Sequence, residues 1–201
     1  MKKSYDNQSL TQFPSGLKGS KYEELSFRQN PIRSLKTLPS LKFLKHLCLD
    51  KTDLTSFIGC EVQPSLVSVS FLETPLNNSQ FKCIMARIAF GDSLTKVNGR
   101  ELTELQTSDA DSFSSYIRAS IVDGFVITSL EPIKMFNPMT RERLTLHFDY
   151  EDEEATEQES QPQAQSPTKS PQIMKLSKKF KASPKKKQIP APPLRMDIDK
   201  Q

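Results

Sequence analysis

Tryptophan is absent from the sequence, and cysteine, histidine and glycine are scarce, at three, two and six residues. Each shortage excludes something. Cys48, Cys60 and Cys83 share no paired spacing, and so odd and sparse a set fits a reducing compartment and not a disulfide framework. No apolar run approaches the roughly 18–20 residues that span a bilayer. Met1-Lys2-Lys3 is not followed by an apolar stretch, so no secretory signal is expected. The segment Gly16-Leu17-Lys18-Gly19-Ser20 has glycine and lysine but lacks the spacing that wraps a phosphate. A dominant charge is missing too: 28 basic against 24 acidic side chains leave a net charge of +4.

What is present is unevenly distributed. Of 16 aromatic residues, 15 lie at or before Tyr150, as do all six glycines, while half of the 14 prolines follow it. From Glu151 the chain reads EDEEATEQESQPQAQSPTKSPQ, with too little apolar surface to offset the entropy of ordering it. Residues 151–201 are therefore expected to be a disordered tail, acidic first and basic after. The core must lie in residues 1–150.

Within that part a pattern recurs. Tyr22, Leu25, Phe27, Asn30 and Ile32 are followed by Leu44, Leu47, Leu49, Thr52 and Leu54, and then by Leu66, Val69, Phe71, Thr74 and Leu76. The offset is 22 residues at every position. Leu35 and Leu38 continue the spacing, and Phe57 and Cys60 stand at the equivalent places. A fixed period over so many positions signals stacked units that share one core. In each unit the first, fourth and sixth residues are expected to turn inward, the last two because side chains alternate along a short strand. Asn, or Thr in its place, bonds backbone groups left open by the turn. Thr serves fewer such groups, so the turns should be less regular at Thr52 and Thr74.

The pattern resembles the leucine-rich repeat, and its period is similar to that of the short subfamily typified by phosphatase-1 regulators and the spliceosomal A-prime protein. The resemblance covers about residues 8–102. It implies an α/β repeat fold, a short leucine-rich-repeat solenoid with parallel strands on its concave face and a C-terminal cap helix. Residues 78–91 suit that helix, with Phe81, Ile84, Met85 and Ile88 at helical spacing, Asn78 or Ser79 as cap and Gly91 at the end. Leu94, Val97, Asn98-Gly99 and Leu102 suit a last strand and turn. At the other end Leu10 and Phe13 match Ile32 and Leu35, but Lys3 and Tyr5 stand where Leu25 and Phe27 would be. Residues 1–102 are thus expected to hold the repeats and cap.

Residues 103–150 do not repeat. Ser108 reads as a helix cap with acids in the first turn, and Phe113, Tyr116, Ile117 and Ile121 as one helix face. Strands are expected at 125–128 and 143–148, with Pro132 and Pro138 in the link. One helix and two strands would extend the array or pack on its cap.

Catalytic candidates are few. His46, Cys48 and Asp50 alternate on one predicted strand, and a Cys/His nucleophile pair needs contact between thiol and ring. No orienting third group or oxyanion donor accompanies them, and the flanking strands offer Ser, Glu and Arg where an ion would need more ligands. Neither catalysis, nor metal, nor cofactor is expected. The same strands instead present a surface: Glu24, Ser26, Arg28 and Gln29; His46, Cys48, Asp50 and Lys51; Ser68, Ser70, Leu72 and Glu73. Its mixed charge suits a protein partner better than nucleic acid.

The tail adds charge chemistry. Asp149 to Glu159 holds seven acids and no base, and Lys169 to Arg195 nine bases and no acid. Ser166-Pro167-Thr168-Lys169 and Ser183-Pro184-Lys185-Lys186 match the Ser-Pro-x-basic pattern of cyclin-dependent-type kinases, and Ser170-Pro171 is a minimal match. Lys178-Lys179 and Lys185-Lys186-Lys187 resemble the halves of a split nuclear-import signal with a short spacer, and Lys181 adds to the same basic tail. The segment 189–194, IPAPPL, has polyproline character. The expectation is a monomeric, non-enzymatic adaptor or regulatory subunit, cytoplasmic or nuclear, that binds another protein on the concave face. Its charged tail would be tuned by phosphorylation and would engage an import receptor or an anionic partner. The alternative is a nuclear nucleic-acid or chromatin accessory protein that binds through the basic tail.

Overall fold

A computed structural model describes residues 1–146. The tail and every expectation placed on it, including Ser166, Ser170, Ser183 and the lysine clusters, lie outside the described residues, as does the end of the strand expected at 143–148.

The fold is α/β: a six-stranded, mostly parallel sheet, two α-helices and a separate three-stranded antiparallel sheet. Strands β1 (Lys2–Ser4), β2 (Glu24–Ser26), β3 (His46–Cys48) and β4 (Ser68–Ser70) pair in parallel, followed by β5 (Lys96–Val97). The 22-residue offset of the sequence is the pairing register: Lys3 lies opposite Leu25, Leu25 opposite Leu47, and Leu47 opposite Val69. Val69 then meets Val97. Leu25, Leu47, Val69 and Val97 are all buried, as are Phe27, Leu49 and Phe71 two residues after the first three. Each strand is three residues or fewer, too short to hold by its own ladder, so burial of this shared row carries the stability. Behind it, Phe57 meets Phe71 and Phe90 edge-on, with ring centroids 5.8 and 5.7 Å apart.

The turns differ as their residues do. Buried Asn30 donates through Nδ2 to the carbonyls of Tyr5 (2.9 Å) and Phe27 (2.8 Å), and its Oδ1 accepts from Gln8 and Leu10 N–H at 3.0 Å. Thr52 keeps only the bond to the carbonyl three residues back, Leu49 (2.8 Å). Thr74 keeps the same bond, to Phe71 (2.7 Å), and accepts from Asn77 N–H (3.2 Å). Asn98 takes the Phe71 amide at 2.8 Å. A second periodic feature was hidden in the sequence. Asn7, Gln29, Lys51 and Glu73 all have left-handed backbone, with φ between 53° and 58°. They are spaced by the same 22 residues, one just past each strand. L-residues pay about 1–2 kcal/mol there.

At the start of the array Lys3 occupies a core register position, yet it is exposed, its ammonium 5.4 Å from the Tyr5 ring centroid. Tyr5 in turn stacks on Phe27 at 5.1 Å. Phe13 and Leu17 are buried beneath.

Three expectations need correction in the second half. Neither Asn78 nor Ser79 caps the first helix. Pro75–Asn78 forms a 3-10 turn capped by Thr74, and α1 (Lys82–Phe90) starts after Phe81 without a side-chain cap bond. Gly91 does end it, at φ 110°. The second helix, α2 (Glu104–Val122), begins well before Ser108. Thr103 and Gln106 form a capping box, Thr103 Oγ1 accepting from Gln106 N–H and Gln106 Oε1 from Thr103 N–H, at 3.2 and 3.1 Å. That reciprocal pair satisfies two open donors where Ser108 would satisfy one. Its buried residues are Ala110, Ile117 and Ile121; Phe113 is half-buried and Tyr116 exposed. Finally, the segment taken as a link contains a strand. β7 (Val126–Leu130), β8 (Ile133–Phe136) and β9 (Arg143–Leu146) make an antiparallel meander. A hairpin with β6 (Arg100–Glu101) across Asn98-Gly99 closes the first sheet.

Helix α2 packs on α1, and polar bonds fix the joint. Arg87, buried on α1, holds both oxygens of Asp111 at 2.9 and 3.3 Å and donates to the carbonyls of Asp92 and Leu94. Arg118 reaches the Ala89 carbonyl at 3.1 Å.

Candidate protein-binding face

Because β1 to β5 are in register, their outward residues form rows. One row runs Lys2, Glu24, His46, Ser68, Lys96. The next runs Ser4, Ser26, Cys48, Ser70. Two residues on, at the same 22-residue spacing, stand Asp6, Arg28, Asp50 and Leu72, and then the left-handed series Asn7, Gln29, Lys51, Glu73. All twelve residues expected on this face come from three adjacent strands and the turns after them.

They do not contribute alike. Asp50 is only 8% exposed, and its Oδ1 accepts from Ser70 Oγ (2.5 Å) and Leu72 N–H (2.7 Å). It braces the face from within. Asp6 repeats the device, accepting from Ser26 Oγ (2.5 Å) and Arg28 N–H (2.9 Å). Burial pushes the Asp6 carboxyl up, but the hydrogen bonds from Ser26, Ser4 and the Arg28 amide outweigh it and hold its pKa below the usual value. Sequence reasoning left Asp6 out, although it lies 44 residues before Asp50, two periods away. Glu24 pairs with Lys2 at 3.2 Å and Lys51 with Glu73 at 3.4 Å, both exposed. Exposed pairs of this kind contribute little to stability. Arg28, Gln29 and His46 are exposed, and Leu72, 42% exposed, is the one large apolar side chain among the twelve.

The chemistry open to His46 and Cys48 is limited by position. Cys48 is half-buried, and burial followed by the nearby Asp50 charge raises its thiol pKa, which disfavours the thiolate. Burial also raises Cys60 and Cys83. Cys60 fills a core site, its single S–H within reach of two acceptors, the carbonyls of Glu61 and Ala89, at 3.5 and 3.6 Å. Among the described residues no group of three His, Cys, Asp or Glu side chains is placed to hold a metal ion. Among the same residues no helix is long and apolar enough to cross a membrane.

The arrangement is thus a narrow strip of small residues, Ser26, Cys48 and Ser70, bordered by charged and polar side chains. No protein-family model matches this chain, and none of the curated proteins matches it in sequence.

Proposed function

We propose that the chain is a short leucine-rich-repeat array with a C-terminal cap, and that it acts as a non-enzymatic adaptor or regulatory subunit by docking another protein on its concave strand face. The observation that carries this reading is the left-handed series. Gln29, Lys51 and Glu73 stand where glycine would be cheaper by about 1 kcal/mol. Long polar side chains kept at a conformational cost along one edge of a surface favour use of that surface. Two further features support it. The Asp6 and Asp50 braces hold the outward residues in place, which lowers the ordering cost on binding. Leu72 supplies an apolar anchor among polar neighbours.

The tail would tune this contact. Phosphates on Ser166, Ser170 and Ser183 would add about −4.5 to −6 charge and offset much of the nine-base block from Lys169 to Arg195. That same block favours the second reading, a nuclear accessory protein bound to nucleic acid mainly through its tail. Phosphate contacts make such binding fall steeply with salt.

The test is affinity capture with the full chain and with a His46→Glu/Leu72→Arg variant, the captured proteins being identified. The adaptor reading expects a discrete protein lost with the variant. Capture that survives the variant but disappears on removal of 160–201, and that falls steeply with salt, would replace it with the nucleic-acid reading.

A further inference from the structure

The second sheet carries a surface of its own. Its strands of five, four and four residues include no acid and two bases, Lys134 and Arg143. Alternation along β8 buries Ile133 and Met135 and turns Lys134 and Phe136 to the other side. Phe136 lies opposite Val126 on β7 and Arg143 on β9, and the Arg143 guanidinium sits 6.0 Å over its ring. Among the described residues neither cation has an ion-pair partner.

Beside this face runs a groove of about 430 Å3, walled by Pro75, Phe81, Val126, Phe136 and Pro138. A second hollow of about 500 Å3 shares Thr128 and Phe136 with it and includes Lys134 and Arg143. Together they form an apolar trough that ends at two cations. β7 is an outer strand, but the Ile127 N–H is already directed at Met85 Sδ (3.2 Å), so an incoming strand finds that donor engaged. Side-chain insertion fits better.

We infer that this trough docks an acidic segment of a partner protein, a large apolar side chain entering beside Phe81 and Phe136 and carboxylates meeting Lys134 and Arg143. Strands without an acid, carrying two cations that have no ion-pair partner among the described residues, select the charge of the partner, and the groove selects its anchor. This surface is distinct from the strand face of the first sheet and does not depend on it.

The probe is a fluorescent peptide with one Phe flanked by glutamates, titrated against the full chain. The controls are its Phe→Ala form, a form with lysines for glutamates, and a single-stranded oligonucleotide. The tail lysines can also attract acids, so two readouts locate the contact. The Lys134→Glu/Arg143→Glu variant, both positions exposed, should melt as the parent does and bind the peptide at least about tenfold more weakly. The peptide should also shift the backbone NMR signals of Val126, Thr128 and Phe136, and lose affinity when Phe is replaced. Equal affinity for the parent and the charge-reversed chain would overturn the inference. So would equal binding of the lysine peptide, or an oligonucleotide that shifts the same signals more strongly.

Discussion

From β1 to β4 the neighbour of a core side chain in the next strand is found by adding 22; in residues 103–146 no such rule exists. Leu25, Leu47 and Val69 meet because their strands share one register. Helix α2 meets the first region through single arrangements: Arg87 of α1 on Asp111, Arg118 on the Ala89 carbonyl, and the amide of Gly59, in the loop after β3, on the Val122 carbonyl. The first region distributes its stability over equivalent contacts, and the second concentrates it. A lesion in the first should therefore resemble its counterpart one repeat away. A lesion in the second should have no counterpart.

The largest effect expected is in the shared core row. Leu47→Ala should cost about 2–5 kcal/mol as a buried large-to-small change, and Leu25→Ala should fall in the same range. Denaturant unfolding measures both; a barely shifted midpoint for either would break the equivalence. Next come the turns, where the repeats are equivalent in place but not in chemistry. Asn30→Ala leaves several buried backbone groups unpaired and should cost about 2–4 kcal/mol, whereas Thr52→Ala, losing one bond, should cost about 1. Similar losses would mean that the extra Asn30 bonds carry little net energy.

At the joint between the regions, Arg87→Met removes a buried cation but keeps much of its volume. Because Asp111 is half exposed and can be solvated, the loss should be about 1–2 kcal/mol. The smallest effect has the opposite sign. Gln29→Gly should stabilise the chain by about 0.5–1 kcal/mol by relieving a left-handed backbone, while weakening partner capture. Asp6 adds a pH signature. Its folded pKa lies below the unfolded value, so its contribution is present above the unfolded pKa and disappears as pH falls through the folded one. Acid unfolding below about pH 4 should therefore be less steep in Asp6→Asn.

What was legible follows from the same contrast. A period is redundant information, and three copies sufficed to assign Leu25, Phe27, Leu47, Leu49, Val69 and Phe71 to the core. The start of α2 was misplaced because Ser108 with its acids looks like a cap in isolation. Thr103 and Gln106, spaced for a capping box, compete only once both side chains are considered together. Strand β8 was overlooked because Ile133-Lys134-Met135-Phe136 follows Pro132 and is too short to show alternation. Arg87 was missed because helical spacing ranks a charged residue as surface, and only the partners around it explain its burial. In the candidate face, the rows were legible but the braces were not: that Ser70 and the Leu72 amide bond Asp50 shows only once the strands are paired.

The central claim, that the outward rows of the parallel strands are the docking surface, is tested most directly by site-specific photocrosslinking. A photoreactive residue at His46, in the middle of the rows, is compared with one at Lys36, exposed but outside them, in the full chain in cell extract. The account predicts a discrete protein adduct from position 46 that position 36 does not form and that Leu72→Arg abolishes. The same adducts from both positions, or an adduct from 46 indifferent to Leu72→Arg, would contradict it.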